Sequence, residues 1–262
     1  MINISAGEFA KIVSGSLHKI DSQMIINQSP VINSKKAGED NFFVAFMGSK
    51  VDGHEYVEEA IELGAKFALV SKTVLVPHIL VADVGQALTD LAIYLRAKLS
   101  DLKVVGITGS QGKTTTKEFL NSILSLNGQT IATEGNFNTD IGVPLTLLRC
   151  NEKTKFCILE MGARHIGDIA RLTQVAKPNV GVVLVVGTAH LGEFGSVAAI
   201  AKTKSELISN LPAKSTAVLG TYDSYTPKMA DSLELEKILF GQNQAVEQLM
   251  LKSMVDLLIL IW

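Results

Sequence analysis

Two cysteines, Cys150 and Cys157, are the only thiols in this 262-residue chain. They lack metal-site spacing and are too few for a disulfide framework, which fits a reducing compartment. Charge of one sign is also missing. Lys and Arg number 24 against 26 Asp and Glu, a formal net charge of -2. That excludes a whole-molecule field for nucleic acid but leaves room for a local basic pocket. Long apolar runs are absent: "MVDLLILIW" at the end is too short to span a bilayer. "MINISAGEFA" has no basic segment leading into an apolar one, so no secretory signal is read. No internal repeat and no low-complexity linker is found. The expectation is a cytoplasmic monomer with no nucleic-acid partner and no membrane span.

What is present is apolar. Hydrophobic residues make up 47% and charged ones 19%, so a well-buried core is expected, in a chain long enough for two domains. Ser5 with Glu8 forms a capping-box pattern opening a short helix, with Gly15 as its stop. "NFFVAF" reads as a strand. "HEYVEEAIELGAKFALV" reads as a helix, a terminator at Gly64 and a strand. "HILVAD" is another strand. "GQALTDLAIYLRAKLS" has helical periodicity, with Leu88, Leu91, Ala92 and Leu95 on one face.

From Lys103 the rhythm changes. Strand "KVVGIT" leads into a Gly-rich turn and a helix from Lys113 to Leu126, closed by Gly128. Strands "TIAT", "KFCILEM", "VGVVLVV" and "STAVLG" follow, with helices at Ile166–Val175 and in "VAAIAKTKSELISNL". Apolar strands alternating with helices indicate a parallel sheet covered on both faces. The fold class is therefore α/β: a small N-terminal α/β domain, then a mostly parallel sheet of the phosphate-loop type with helices on both faces. The expected division is 1–82, 83–242 and a tail, 243–262.

Thr108 to Thr114 reads T-G-S-Q-G-K-T. The longer nucleotide-loop spelling would have Gly or Ala where Ile107 stands. The physics survives the shortening. Gly109 and Gly112 let backbone N–H groups turn inward around phosphate oxygens. The helix beginning at Lys113 aims its positive dipole end at the same place. Lys113 supplies a full charge for the phosphates, and Thr114 a hydroxyl for Mg²⁺.

"GITGSQGKTTTKE" resembles the ATP loop of the Mur ligases, which add amino acids to the peptidoglycan precursor. "TEGNFNTDIGVPLTLL", "ILEMGARHIGDIARL" and "VVGTAHLGEFGSVAAIAKTKSEL" follow in that family's order. They are similar to the branch that joins D-alanyl-D-alanine to UDP-N-acetylmuramoyl-tripeptide. "NSKKAGEDNFFVAFMGSKVDGHEYVEEAIELGA" is similar to that branch's UDP-substrate domain. The resemblance covers roughly residues 1 to 240. It implies an ATP- and Mg²⁺-dependent amide ligase. ATP phosphorylates the tripeptide's terminal carboxylate, and the incoming amine displaces phosphate. Charge of that kind calls for cations.

The resemblance also implies roles. Gly109, Ser110, Gln111, Gly112, Lys113, Thr114 and Thr115, with Asn136 and Asn138, would hold ATP. Glu160, His190, Lys204 and Thr114 would hold Mg²⁺, with Lys204 carbamylated, since an ammonium cannot bind a cation. Lys113, Lys204 and His190 would be catalytic. Ser34, Asp52, Gly53, His54, Thr139 and Arg164 would meet substrate. Each has a plainer reading beside it. Glu160 ends a strand and would face water; His190 would be a solvated loop residue; Lys204 would be a solvated helix lysine, with Lys202 as a competing position. The asparagines, Ser34 and the Asp52–Gly53–His54 trio would serve turns and caps. Arg164 would be a surface arginine.

Departures are visible. Lys35 stands where the family has Arg, and lacks its bidentate fork. Thr139 and Val185 stand where it has Asn. "GTYD" replaces "NADD" after the last strand. No "HN…N" stretch for adenine and no "YNANP" run is found, so a C-terminally truncated ligase without the third, Rossmann-like domain is expected, with little ligation of its own. A non-catalytic remnant that still binds nucleotide or UDP-substrate stays open. A different loop-containing NTPase, such as a small-molecule kinase, is disfavoured by the Glu160, His190 and Lys204 set.

Overall fold

A computed structural model describes residues 1–48, 51–189 and 191–241, in two compact units. The first comprises Met1–Ser100 with Pro144–Lys153, the second Asp101–Val143 with the chain from Thr154 onward. The division therefore falls at Ser100 and not at residue 82. The tail from 243 lies outside the described residues, as does His190.

The first unit runs β1 (Ile4–Ser5), α1 (Ala6–Ile12), β2 (Ser16–His18), β3 (Ile25–Ile26), β4 (Ser29–Val31), β5 (Asn41–Val44), α2 (Val57–Glu62), β6 (Ala68–Val70), β7 (His78–Leu80) and α3 (Val84–Lys98). Its main sheet has the order β2-β7-β6-β5-β4, with only β2 antiparallel to its neighbour. Phe42 stacks on Phe67 with ring centroids 5.0 Å apart, and Phe9 of α1 meets both edge-on. The predicted face of α3, Leu88, Leu91, Ala92 and Leu95, is buried. It packs on α1, where the Tyr94 hydroxyl also donates to Glu8. That packing explains why α3 belongs to the first unit. Ser5 accepts from the Glu8 amide as the capping box requires, but the Glu8 side chain turns to Tyr94 instead of closing the box. Ser14, at φ 51°, takes the left-handed position after α1 where Gly15 was expected.

The second unit runs β8 (Lys103–Thr108), α4 (Lys113–Leu124), β9 (Gln129–Ala132), β10 (Thr154–Glu160), α6 (Asp168–Ala176), β11 (Val180–Val183), α7 (Leu191–Phe194), α8 (Val197–Ser209), β12 (Thr216–Gly220) and β13 (Glu236–Phe240). Between β9 and β10, α5 (Gly142–Leu147) crosses the division between units. The sheet is parallel throughout, in the order β13-β12-β11-β8-β10-β9. The crossover from β8 runs one way, to β9, while that from β10 runs back past β8 to β11. Right-handed crossovers then put α4 on one face and α6 and α8 on the other. The carboxyl end of β8 is thus a switch point, where open α/β sheets place ligands.

Alternation decides the two faces. Val105 and Ile107 of β8 pack with Leu124 of α4, together with Ile158, Val182 and Val218. On the other face Gly106 lies opposite Gly181 across β8 and β11. A Cβ on Gly106 would sit 3.2 Å from Leu207 Cδ1, and one on Gly181 3.0 Å from Leu211 Cδ1. The two glycines form a groove that admits α8. A crossover helix runs antiparallel to its strands, so Lys204, one turn before Leu207 and Ile208, lies nearer the carboxyl edge.

Candidate active site

At that edge β8 ends in the phosphate loop. Gly112 takes φ 84°, a left-handed conformation that a Cβ disfavours, and precedes Lys113 without any side-chain cap on α4. The first N–H groups of α4 are therefore left for an anion. The Lys113 ammonium curls back and donates to the Gly109 carbonyl at 2.8 Å. Ser110 is committed elsewhere: its hydroxyl accepts from the Gly187 amide at 2.9 Å, and its own N–H donates to Val185 O. Gln111 and Thr115 are exposed, with no side-chain partner among the described residues.

Glu160 closes β10 beside this loop and is 4% exposed. Thr114 Oγ1 donates to its Oε2 at 2.9 Å, and Asn138 Nδ2 to its Oε1 at 3.0 Å. Both partners are neutral. A buried carboxylate with only neutral donors is under-compensated, and a hard cation suits such a set of oxygens. Among the described residues no three His, Cys, Asp or Glu side chains converge into a metal cluster.

Lys204 is buried, 9% exposed, whereas Lys202 is exposed. Burial first, and the Lys113 charge second, bring the Lys204 ammonium down to about 8. No hydrogen-bond partner for it lies among the described residues. The structure thus gathers Lys113, Thr114, Asn138, Glu160 and Lys204 at one edge. Three other predicted residues of this unit make no such contact with Glu160 or the loop. Asn136 is exposed, its carbonyl accepting from the Asn138 amide. Thr139 is exposed and starts α5 through its carbonyl, which accepts from Val143 N. Arg164 is exposed, and only its backbone N–H is engaged, with Asp168.

Four supporting residues escape sequence reading. Thr133 Oγ1 accepts from the Glu160 amide at 3.0 Å, and the buried Lys117 donates to the Thr133 carbonyl at 2.8 Å. Glu206 of α8 accepts from Gly167 N at 2.7 Å and Ala170 N at 3.1 Å, pinning α8 to the start of α6. Asp223 accepts from Val186 N, Tyr225 N, and both the amide and hydroxyl of Thr226. Burial pushes the Asp223 carboxyl up, but these hydrogen bonds outweigh it and hold it below the usual range. The one local signal is the Asp of "GTYD", whose spacing to Tyr225 is that of an Asx turn.

In the first unit Ser34 is buried at the head of a short turn capped by Asn33. Asp52 Oδ1 accepts from the His54 amide at 3.0 Å and Nδ1 at 2.6 Å, and Oδ2 accepts from Lys72 at 2.6 Å. Lys72, then His54, hold the Asp52 carboxyl well below the usual range. Ser71 N donates to His54 Nε2 at 3.0 Å, so with the Asp52 contact both ring nitrogens of His54 are engaged. A Cβ on Gly53 would lie 2.7 Å from Phe46 O. The polar atoms of Asp52 and His54 are occupied by each other, by Lys72 and by Ser71.

Two family descriptions match the chain: "Mur ligase middle domain" over residues 107–256, and "Mur ligase family, catalytic domain" over residues 31–98. The chain belongs to the Mur ligase family. The middle-domain match runs past residue 243, into the stretch set apart as a tail. The UDP-N-acetylmuramoyl-tripeptide--D-alanyl-D-alanine ligase of Mycobacterium tuberculosis is 37% identical over 257 residues, 88% of this chain and 50% of that protein. Its Escherichia coli counterpart is 36% identical over 221 residues, covering 84% and 48%. A crystal structure of MurF from Acinetobacter baumannii superposes with a TM-score of 0.80 at 34% identity, covering 91% of this chain and 53% of that one. MurF from Thermotoga maritima, in complex with ADP, gives 0.70 at 37% identity, covering 82% and 51%. The chain spans about half the length of the curated relatives it matches. No helix among the described residues is long and apolar enough to cross a membrane.

Proposed function

We propose that this chain carries the substrate-binding and ATP-binding parts of an amide ligase that adds D-alanyl-D-alanine to UDP-N-acetylmuramoyl-tripeptide. The observation that carries the reading is Glu160, buried between Thr114 of the phosphate loop and Asn138. The relatives named for that reaction support the choice of substrates.

Thr114, Glu160, His190 and a carbamylated Lys204 would hold Mg²⁺, which offsets negative charge on the phosphates when bound. Lys113 exchanges the Gly109 carbonyl for a phosphate oxygen, and the open N–H groups of α4 take others. Lys204 supports its own modification by its burial. With the amine at about 8, about a quarter of it is neutral at pH 7.5, against about one part in a thousand for an ordinary lysine. Only the neutral amine attacks CO₂. Asn138 holds the Glu160 carboxylate in place, and Thr133 holds the Glu160 backbone. Asp52, Gly53 and His54 serve the substrate side by fixing the shape of their turn, and Arg164 is free to meet substrate anions. The tripeptide carboxylate attacks the terminal phosphorus of ATP and ADP leaves; the incoming amine then attacks the acyl carbon, gives up a proton, and phosphate leaves.

Calorimetry with two ligands tests this. UDP-N-acetylmuramoyl-tripeptide and Mg²⁺–ADP are each expected to bind one site. Lys113→Ala is expected to abolish ADP binding and leave the UDP-substrate unaffected. Absence of both binding events in the native chain would sink the reading.

A further inference from the structure

The segment that delivers Asn138 to Glu160 runs from Thr133 to Ile141, and its two ends are held very differently. At the far end Asp140 pairs with Arg171 at 3.2 Å, between side chains that are both more than half exposed. Such a pair contributes little in water. The root is buried. Thr133, 2% exposed, carries the ladder one residue past β9: its N–H donates to Ile158 O at 2.9 Å, and its hydroxyl oxygen accepts from the Glu160 amide at 3.0 Å. The Thr133 carbonyl in turn accepts from the Lys117 ammonium at 2.8 Å.

Lys117 belongs to α4, one turn after Lys113 and three residues after Thr114. Residues three and four apart share a helix face. Lys113 goes to the phosphate loop, Thr114 to Glu160, and Lys117 to Thr133. The Lys117 side chain is 4% exposed, whereas its ion-pair partner at 2.8 Å, Glu118, is 60% exposed. Lysine is seldom so buried, and an apolar residue would fill the same place without desolvating a charge. What the ammonium adds is a donor fixed at the Thr133 carbonyl.

We propose that Lys117 is a positioning residue for the cation site. Through Thr133 it fixes the Glu160 backbone and the root of the segment that brings Asn138 to the Glu160 carboxylate. Three contacts on Glu160 then trace back to one helix: Thr114 directly, and those of Thr133 and Asn138 through Lys117. Ligands held by a further layer of hydrogen bonds keep their geometry for a metal ion. The inference rests on the reading of Glu160 as a Mg²⁺ ligand and adds what aims it.

The test uses the whole chain, with ADP and Mg²⁺ as probes. Lys117→Met keeps the stem and removes the donor. It is expected to raise the Mg²⁺ concentration that half-saturates the tightening of ADP binding by about tenfold or more. Metal-free ADP affinity is expected to stay native. In the ligand-free variant, hydrogen exchange at the Glu160 amide is expected to quicken about fivefold. Glu118→Gln removes the ion pair and leaves the bond to Thr133, so both readouts are expected to stay native. A lysine with a purely structural role would lower the melting temperature and leave the Mg²⁺ requirement unmoved. The idea is overturned if Lys117→Met keeps the native Mg²⁺ requirement, or if Glu118→Gln shifts it as far. Should Lys117→Met not fold, Thr133→Val decides: it removes the acceptor for the Glu160 amide, and a native Mg²⁺ requirement there overturns the idea. A native chain whose ADP affinity Mg²⁺ does not change, or a Glu160→Gln variant that keeps the change, removes this inference together with the cation reading of Glu160. Loss of the Mg²⁺ effect in Glu160→Gln but not in Lys117→Met overturns this inference alone.

Discussion

Replacing Lys204 with methionine is expected to stabilise the second unit at neutral pH. The lysine is buried and its ammonium sits at about 8, against an ordinary value of 10.5, chiefly through burial and then through Lys113. Below pH 8 it is charged in the folded and unfolded chain alike, and the folded state bears the full penalty. Between about pH 8 and pH 10.5 the unfolded chain holds more protons, so stability rises with pH and the penalty fades. The difference converts to about 3 kcal/mol at pH 7 and about 1 kcal/mol at pH 10. Methionine keeps the stem in its groove and removes the charge. Urea unfolding in bicarbonate-free buffer, followed by circular dichroism, measures both values. A methionine variant that is destabilised at pH 7, or whose gain is the same at pH 10, would refute the reasoning. A residue that costs stability in its unmodified form is one held for function.

Three further outcomes are expected. Gly53→Ala forces a Cβ against the Phe46 backbone and is expected to destabilise the first unit by about 1–3 kcal/mol in thermal melts; a neutral result would mean the turn can shift. Asp223→Asn keeps the turn to Tyr225 and Thr226 but sets an amide against the Val186 N–H. Hydrogen exchange at Val186 is expected to quicken with a loss of only about 1 kcal/mol in stability, and unchanged exchange would exclude Asp223 as the tether. Asp52 is depressed in the folded state, so its contribution is present above pH 3.8 and lost as pH falls below it. Melting temperatures between pH 5 and pH 3 are expected to fall more steeply for the native chain than for Lys72→Met, and equal slopes would contradict the Lys72–Asp52 link.

The sheet of the second unit was legible because its strands are buried on both faces and read as apolar runs separated by helices. "EKILF" was not, since its outer position leaves an amphipathic strand of five residues with two exposed at its start. β11 ends at Val183, three residues before its apolar run does, because Leu184 and Val185 turn their backbone to Thr108 and Ser110. In the first unit β2, β3 and β4, of two or three residues each, are too short to carry a period. The helix α6 closes on Lys177 at φ 42° instead of a glycine. In the site, the loop and Glu160 were legible because their chemistry is local to a strand end. Thr133, Glu206 and the burial of Lys204 are tertiary: Thr133 bridges Glu160 and Lys117, while Glu206 and Lys204 are placed by α8 settling into the Gly106–Gly181 groove.

Glu160→Gln offers the most direct trial of the account. It keeps the shape and one acceptor oxygen but removes the charge between Thr114 and Asn138. ADP affinity would be measured with Mg²⁺ and with a chelator, for both proteins. The account predicts that Mg²⁺ tightens ADP binding to the native chain and has no such effect on the variant, while metal-free affinity is alike in the two. An equal Mg²⁺ enhancement in both would contradict Glu160 as the centre of the site.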